Sequence, residues 1–207
     1  MERLTPARLR KHIDAGGRVV DVREPSMFAD RHVRGALNIA LSNRGAPMWA
    51  QRLLGEDDRV AIVTATDREN SVAEQLLAMA GRRAGGFAPF DEKAFADAGI
   101  TLAAIRTLVP PQLAQERDRL TVVDVREEQE YLAGHVPGAV WIPLGELAQR
   151  AGEVPAGPVA TICASGFRSS SAASILERAG RDALANVWGG TTAWMQLGFP
   201  MNRGRNP

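Results

Sequence analysis

The chain has 207 residues, 45% hydrophobic and 24% charged, the composition of an ordinary folded protein with room for one large domain or two small ones. Twenty-five basic residues against 24 acidic ones leave a formal net charge of +1, so nothing calls for nucleic acid or an anionic membrane as a partner. One cysteine excludes an internal disulfide, and three scattered histidines, His12, His32 and His135, suggest no metal site. In chain order, Met1–Pro6 lacks the apolar core of a signal peptide, and no apolar stretch reaches the roughly 18 residues of a membrane helix. The expected compartment is the cytoplasm. Val19–Val22 is a continuous apolar run with β-branched residues, as in strands covered on both faces, and Val60–Val63 reads the same way. Val72, Leu76, Leu77 and Ala80 then fall at helical spacing before Gly81. A boundary is expected near Gly99–Thr107, giving domains 1–101 and 102–207. Beyond it, Val122–Val125 and Val159–Ile162 read as buried strands. Ala172, Ile175, Leu176 and Ala179 mark a helix face that stops at Gly180. Asn186–Trp188 reads as a short strand, followed by the Gly189-Gly190 turn and a helix through Trp194 that stops at Gly198. The polar tail Asn202–Pro207 is expected to be mobile. Alternating strands and helices predict an α/β fold with mainly parallel sheets flanked by helices.

The same unit occurs twice. Val19-Val20-Asp21-Val22-Arg23-Glu24 returns as Val122-Val123-Asp124-Val125-Arg126-Glu127, and His32-Val33-x-Gly35-Ala36 returns as His135-Val136-x-Gly138-Ala139, both 103 positions on. Later segments, Val60–Val63 against Val159–Ile162 and Ala80-Gly81 against Ala179-Gly180, match 99 positions apart. One deletion therefore lies in the variable loop around 43–55 or 144–157. A period near 100 residues is too long for a solenoid and fits a duplicated domain. Two copies act as an internal control: what both keep serves the fold, and what only one has is a candidate for chemistry. Asp21 and Asp124 are expected to accept hydrogen bonds at strand ends, and His32 and His135 to pack structurally. Asp124 and Arg126 are supporting candidates at the rim of the site.

Only the second copy carries Cys163-Ala164-Ser165-Gly166-Phe167-Arg168-Ser169, a loop between an apolar strand and a helix. Loop amides and the helix's free N–H groups would converge there, and the helix dipole adds positive charge. A thiol in such a place ionises more readily than a free cysteine, whose pKa is about 8.5, and becomes a nucleophile in a cradle for anions. The alternative for a lone cysteine is a small buried core residue. The first copy keeps the loop length but reads Thr64-Ala65-Thr66-Asp67-Arg68-Glu69, with Thr64 opposite Cys163 and Glu69 opposite Arg168. It is expected to be inactive.

These residues resemble the rhodanese-like sulfurtransferases across nearly the whole chain. The matching pieces are Asp124-Val125-Arg126, Gly134-His135-Val136-Pro137-Gly138-Ala139, the loop Cys163–Ser169, and Gly189-Gly190-x-x-Ala193-Trp194-x-x-x-Gly198-x-Pro200. The resemblance implies tandem rhodanese domains, an inactive first and an active second, with a persulfide carried on Cys163. It implies no cofactor. The compact pairing of a silent and an active domain is also similar to the rhodanese part of fusions with metallo-β-lactamase-fold persulfide dioxygenases. No metal-binding motif of that partner is present here, so a separate dioxygenase is the form such a partner would take.

The implied chemistry is double displacement. Cys163 takes the sulfane sulfur of thiosulfate or a low-molecular-weight persulfide, and cyanide or a cellular thiol removes it. Arg168, Ser165 and Ser169 would orient the donor, with Ala164, Gly166 and Phe167 completing the loop. With no second cysteine, an outside molecule must discharge the persulfide. Phosphatases and arsenate reductases of related architecture place five residues between cysteine and arginine, whereas four separate Cys163 from Arg168. The smaller loop suits one sulfur atom better than a phosphoryl group. The other alternative is a non-catalytic docking or redox-sensing module.

Overall fold

The computed structural model describes residues 1–205, and the chain divides after Ala104 into two compact units. In the first, α1 (Pro6–Asp14) starts with Pro6 at its first turn and the Thr5 hydroxyl accepting from the Arg8 N–H. There follow β1 (Arg18–Asp21), α2 (Pro25–Asp30), β2 (His32–Val33), β3 (Leu37–Asn38), α3 (Ala46–Leu53), β4 (Val60–Thr64), α4 (Asn70–Met79), β5 (Ala84–Pro89), α5 (Glu92–Asp97) and β6 (Leu102–Ala103). The parallel sheet has the order β3-β1-β4-β5, and Arg3 extends it by a bridge to Phe87. A separate antiparallel pair joins β2 to β6 through His32 and Ala103, which keeps residues 102–103 with this unit.

The second unit runs β7 (Arg106–Leu108), α6 (Pro110–Glu116), β8 (Thr121–Asp124), α7 (Glu128–Ala133), β9 (Val140–Trp141), α8 (Leu144–Arg150), β10 (Val159–Ile162), α9 (Phe167–Arg178), β11 (Leu184–Val187) and α10 (Gly190–Gln196). Its sheet is wholly parallel, β7-β11-β10-β8-β9. Parallel strands need crossovers, and the crossover helices bury the strands on both faces, which is why β10 is apolar at nearly every position. Leu108, Val122, Ile162, Val187 and Trp194 form part of one core. Each such side chain contributes roughly 1.5–3 kcal/mol on burial.

Four expectations change. The stretches read as variable loops carry helices, α3 and α8, in the two units. The α4 stripe loses Val72, which is 51% exposed, while Leu76 and Leu77 stay buried. In α9, Ala179 is exposed, and burial runs instead almost continuously from Ser169 to Ser174, because the helix is wedged between the sheet and α8. Small residues permit that close approach; an apolar stripe is the signature of a helix covered on one side only. The tail is pinned: Asn202 exchanges two 2.9 Å backbone hydrogen bonds with His135, and Gly204 N–H donates to Leu132. Residues 206–207 lie outside the described residues.

Candidate functional site

The site begins where β10 ends. Cys163 is 1% exposed, with its neighbours Ala164 and Ser165 half-buried and exposed. The chain turns at Gly166, whose φ of +116° lies in the region that favours glycine, and an added Cβ would stand 2.6 Å from the Trp188 ring. The start of α10 anchors the loop from its carbonyl side. The carbonyls of Cys163, Ala164 and Ser165 accept from the N–H groups of Thr191 (2.8 Å), Thr192 (3.1 Å) and Gly189 (3.0 Å). Gly190 permits this approach, since a Cβ there would lie 2.2 Å from the Cys163 carbonyl oxygen. One loop amide reaches the thiol itself: Gly166 N–H donates to Cys163 Sγ at 3.1 Å. The Ser169 hydroxyl lies 3.4 Å from the same sulfur.

Behind the loop stands a residue that the sequence reading did not single out. Asn186, buried on β11, accepts the Ser169 hydroxyl at 2.6 Å on Oδ1 and donates from Nδ2 to the Gly166 carbonyl at 3.1 Å. A hydroxyl has one hydrogen, and the shorter contact to Asn186 takes it. Ser169 then presents a lone pair to the sulfur. Thr161 ties the same helix start to the sheet, its hydroxyl reaching the carbonyls of Ser169 and Ala185.

Arg168, expected to face the donor, is held by a second overlooked residue. Its two terminal nitrogens donate to Glu130 of α7 at 2.6 and 2.7 Å, a bidentate pair. Glu130 is itself fixed, for it also accepts the Glu127 N–H at 3.1 Å. The hydrogen bond from Arg168 holds the Glu130 carboxyl below the usual carboxylate range against the opposing effect of burial. Burial pulls Arg168 down, but Glu130 and the nearby Cys163 outweigh it, and the guanidinium stays firmly charged. Phe167 and the 40% exposed Trp188 meet edge to face at 5.5 Å and form an aromatic rim.

Asp124 and Arg126 form a brace rather than a rim. Arg126 donates twice from Nε and once from Nη2 to the buried Asp124 carboxylate, and Nη2 also reaches the Gly134 carbonyl at 2.7 Å. Asp21 and Arg23 repeat this in the first unit, with Arg31 supplying the carbonyl. His135 stacks on Tyr131 and His32 on Phe28, each ring bonded to that aromatic residue's carbonyl.

The first unit's loop has a different conformation. Asp67–Glu69 form a 3₁₀ turn where the second unit has its left-handed glycine. The Glu69 carboxylate accepts the Ala65 N–H at 2.8 Å, so the chain supplies its own anion to that loop. Thr64 is fully buried and its hydroxyl has no partner; neither has Oδ1 of Asn70, which stands opposite Ser169. The pairing of copies also carries the signal for the missed residues, since Phe87 stands opposite Asn186, and Met27 opposite Glu130.

Among the described residues, no three His, Cys, Asp or Glu side chains are grouped so as to hold a metal ion, and no helix is long and apolar enough to cross a membrane. The chain is similar to a putative sulfur carrier protein, YrkF, of Bacillus subtilis, 32% identical over 130 residues that span 62% of this chain and 64% of that protein. It is similar to a sulfurtransferase of Allochromatium vinosum, 34% identical over 91 residues, 44% of this chain and 84% of that one. Among solved structures, a rhodanese-related protein of Thermoplasma volcanium is 31% identical, covers 47% of this chain and 97% of its own, and superposes with a TM-score of 0.45. A comparison with protein families matches the rhodanese-like domain at residues 5–93 and again at 109–197. With both halves matched, the chain belongs to the rhodanese-like family and carries two of its α/β domains in tandem.

Proposed function

We propose that the second unit is a sulfurtransferase acting through a persulfide on Cys163, and that the first unit is catalytically silent. The observation that carries this is the Cys163 sulfur held 3.1 Å from the Gly166 amide, on a loop with a guanidinium five positions on. The sulfurtransferase relatives support the same reaction class. With thiosulfate, the Cys163 thiolate attacks the outer sulfur, the S–S bond breaks, and sulfite leaves with the electron pair. A thiolate or cyanide then attacks the outer sulfur of the persulfide and frees Cys163. The Gly166 N–H faces the sulfur that attacks in the first half-reaction and leaves as a thiolate in the second. The resemblance to the rhodanese part of dioxygenase fusions makes a persulfide dioxygenase of metallo-β-lactamase fold a fitting partner, in a reducing compartment such as the cytoplasm.

Intact mass after incubation with thiosulfate or a low-molecular-weight persulfide tests the reading. A gain of one sulfur atom in the wild type, lost in Cys163→Ala, is the expected result. An unchanged mass with both donors overturns it. Turnover of a phosphate ester that disappears in Cys163→Ser would instead assign phosphoryl chemistry.

A further inference from the structure

The second unit's loop is less positive than its sequence suggests. Arg168 is neutralised by the bidentate Glu130, and Arg126 by the buried Asp124. Each guanidinium near the loop thus brings its own carboxylate. Glu130 is no casual surface partner, because the Glu127 N–H fixes it from behind while both Arg168 nitrogens fix it in front. The first unit has Met27 in place of Glu130 and Glu69 in place of Arg168, so the pair occurs only where the thiol is. The aromatic rim follows the same rule: Arg68 and Pro89 stand opposite Phe167 and Trp188.

We infer that the donor this site takes is an organic persulfide, R–S–SH, and that Glu130 is the positioning residue that sets this preference over thiosulfate. The inference rests on the sulfur-transfer reading above. With R–S–SH, the Cys163 thiolate attacks the outer sulfur, the S–S bond breaks, R–S⁻ leaves with the electron pair, and the proton stays on the transferred sulfur. One negative charge is present throughout, or two if the persulfide enters ionised. Attack on thiosulfate gathers three negative charges in the same space. A cradle with a free arginine tolerates that accumulation; one whose arginine is already matched does not, since the carboxylate adds its own repulsion at close range. The exposed Trp188 and the Phe167 ring give the organic group R an apolar surface that sulfite cannot use.

The test is the rate at which Cys163 gains a sulfur atom, read by quenched-flow intact mass, with cysteine persulfide and with thiosulfate at matched concentrations. The wild type is expected to load from the persulfide about tenfold faster or more, from the extra charge repulsion at this range. In Glu130→Gln the ratio of the thiosulfate rate to the persulfide rate rises about tenfold as Arg168 is released. Glu130→Asp, which keeps the charge, retains the wild-type ratio of rates. A wild type that loads thiosulfate as fast as the persulfide overturns the inference, and so does a Glu130→Gln protein with an unchanged ratio. The wild-type ratio decides the matter alone if Glu130→Gln does not fold. Failure of both donors to load the wild type overturns the transfer reading itself, and is distinguished by the absence of any mass gain.

Discussion

Replacing Asn186 with alanine separates the two tasks of this residue. The change removes two hydrogen bonds, to Ser169 Oγ and to the Gly166 carbonyl. Neutral buried hydrogen bonds contribute about 0.5–1.5 kcal/mol each, and the side-chain atoms lost add a cavity term. The Gly166 carbonyl is not orphaned, because it keeps the Ser170 N–H at 3.2 Å. The cost is therefore about 2 kcal/mol, which lowers the melting temperature of a domain of this size by about 10 °C. The second consequence runs the other way. Released from Asn186, the Ser169 hydroxyl is free to donate to the Cys163 sulfur 3.4 Å away. A hydrogen bond to a charged partner contributes at least about 1.5 kcal/mol, so the thiolate gains about tenfold. Alkylation of Cys163 by iodoacetamide at pH 7 is expected to be about tenfold faster in Asn186→Ala than in Asn186→Ala/Ser169→Ala. Both variants lose the same packing, and only the hydroxyl distinguishes them. A wild type alkylated about tenfold faster than Ser169→Ala, with Asn186 in place in both, would refute the assignment of the Ser169 hydrogen to Asn186.

Gly166→Ala must force a side chain into a φ of +116° with the Trp188 ring 2.6 Å away, and it is expected to abolish sulfur loading and to cost about 1–3 kcal/mol in urea unfolding. Thr64→Cys in the first unit places a thiol opposite Cys163 but leaves Glu69 on the Ala65 amide, so peptide mapping after donor treatment is expected to find no sulfur at that cysteine. The Arg168 hydrogen bond holds Glu130 below its ordinary value of 4.5, and a carboxyl held low when folded stabilises above its unfolded pKa and loses that effect as pH falls through the folded value. The stability difference between the wild type and Glu130→Gln is therefore expected to be complete at pH 7 and to shrink below pH 4.5, and to stay under about 1 kcal/mol because the carboxylate is partly exposed. Urea unfolding at both ends of that range checks the sign.

The repeat and the buried strands were legible because a parallel sheet covered on both faces leaves continuous apolar runs, as in Val19–Val22 and Val159–Ile162. The Cys163 loop was legible because one copy has it and the other does not. Helix α9 was legible in Ala172, Leu176 and the stop at Gly180, but its buried serines were not, because they bury through small size rather than apolarity. Asn186 and Glu130 were missed for a different reason. They lie 20 and 36 residues from Gly166 in the chain and reach the loop only because β11 pairs beside β10 and α7 follows β8. Sequence neighbourhood does not show such contacts, although position-by-position comparison of the copies would have flagged both.

The two halves also separate what holds the fold from what performs the chemistry, and Asp124 is where the distinction is sharpest. It sits in the second unit's sheet next to the loop strand, and its replacement is expected to stop the proposed sulfur transfer. Yet Asp21 makes the same brace to Arg23 at the same 2.6 Å, in a unit with no thiol. Removing one member of a buried ion pair leaves the other charge uncompensated, at a cost of about 3–5 kcal/mol. Asp21→Asn and Asp124→Asn are therefore expected to destabilise their own units to a similar degree, read by hydrogen exchange in peptides from β1 and β8. Loss of transfer in Asp124→Asn would then report a loosened sheet. If Asp124→Asn left exchange in β8 unchanged and still abolished loading of Cys163, the brace would belong to the reaction, and its recurrence around Thr64 would need another cause.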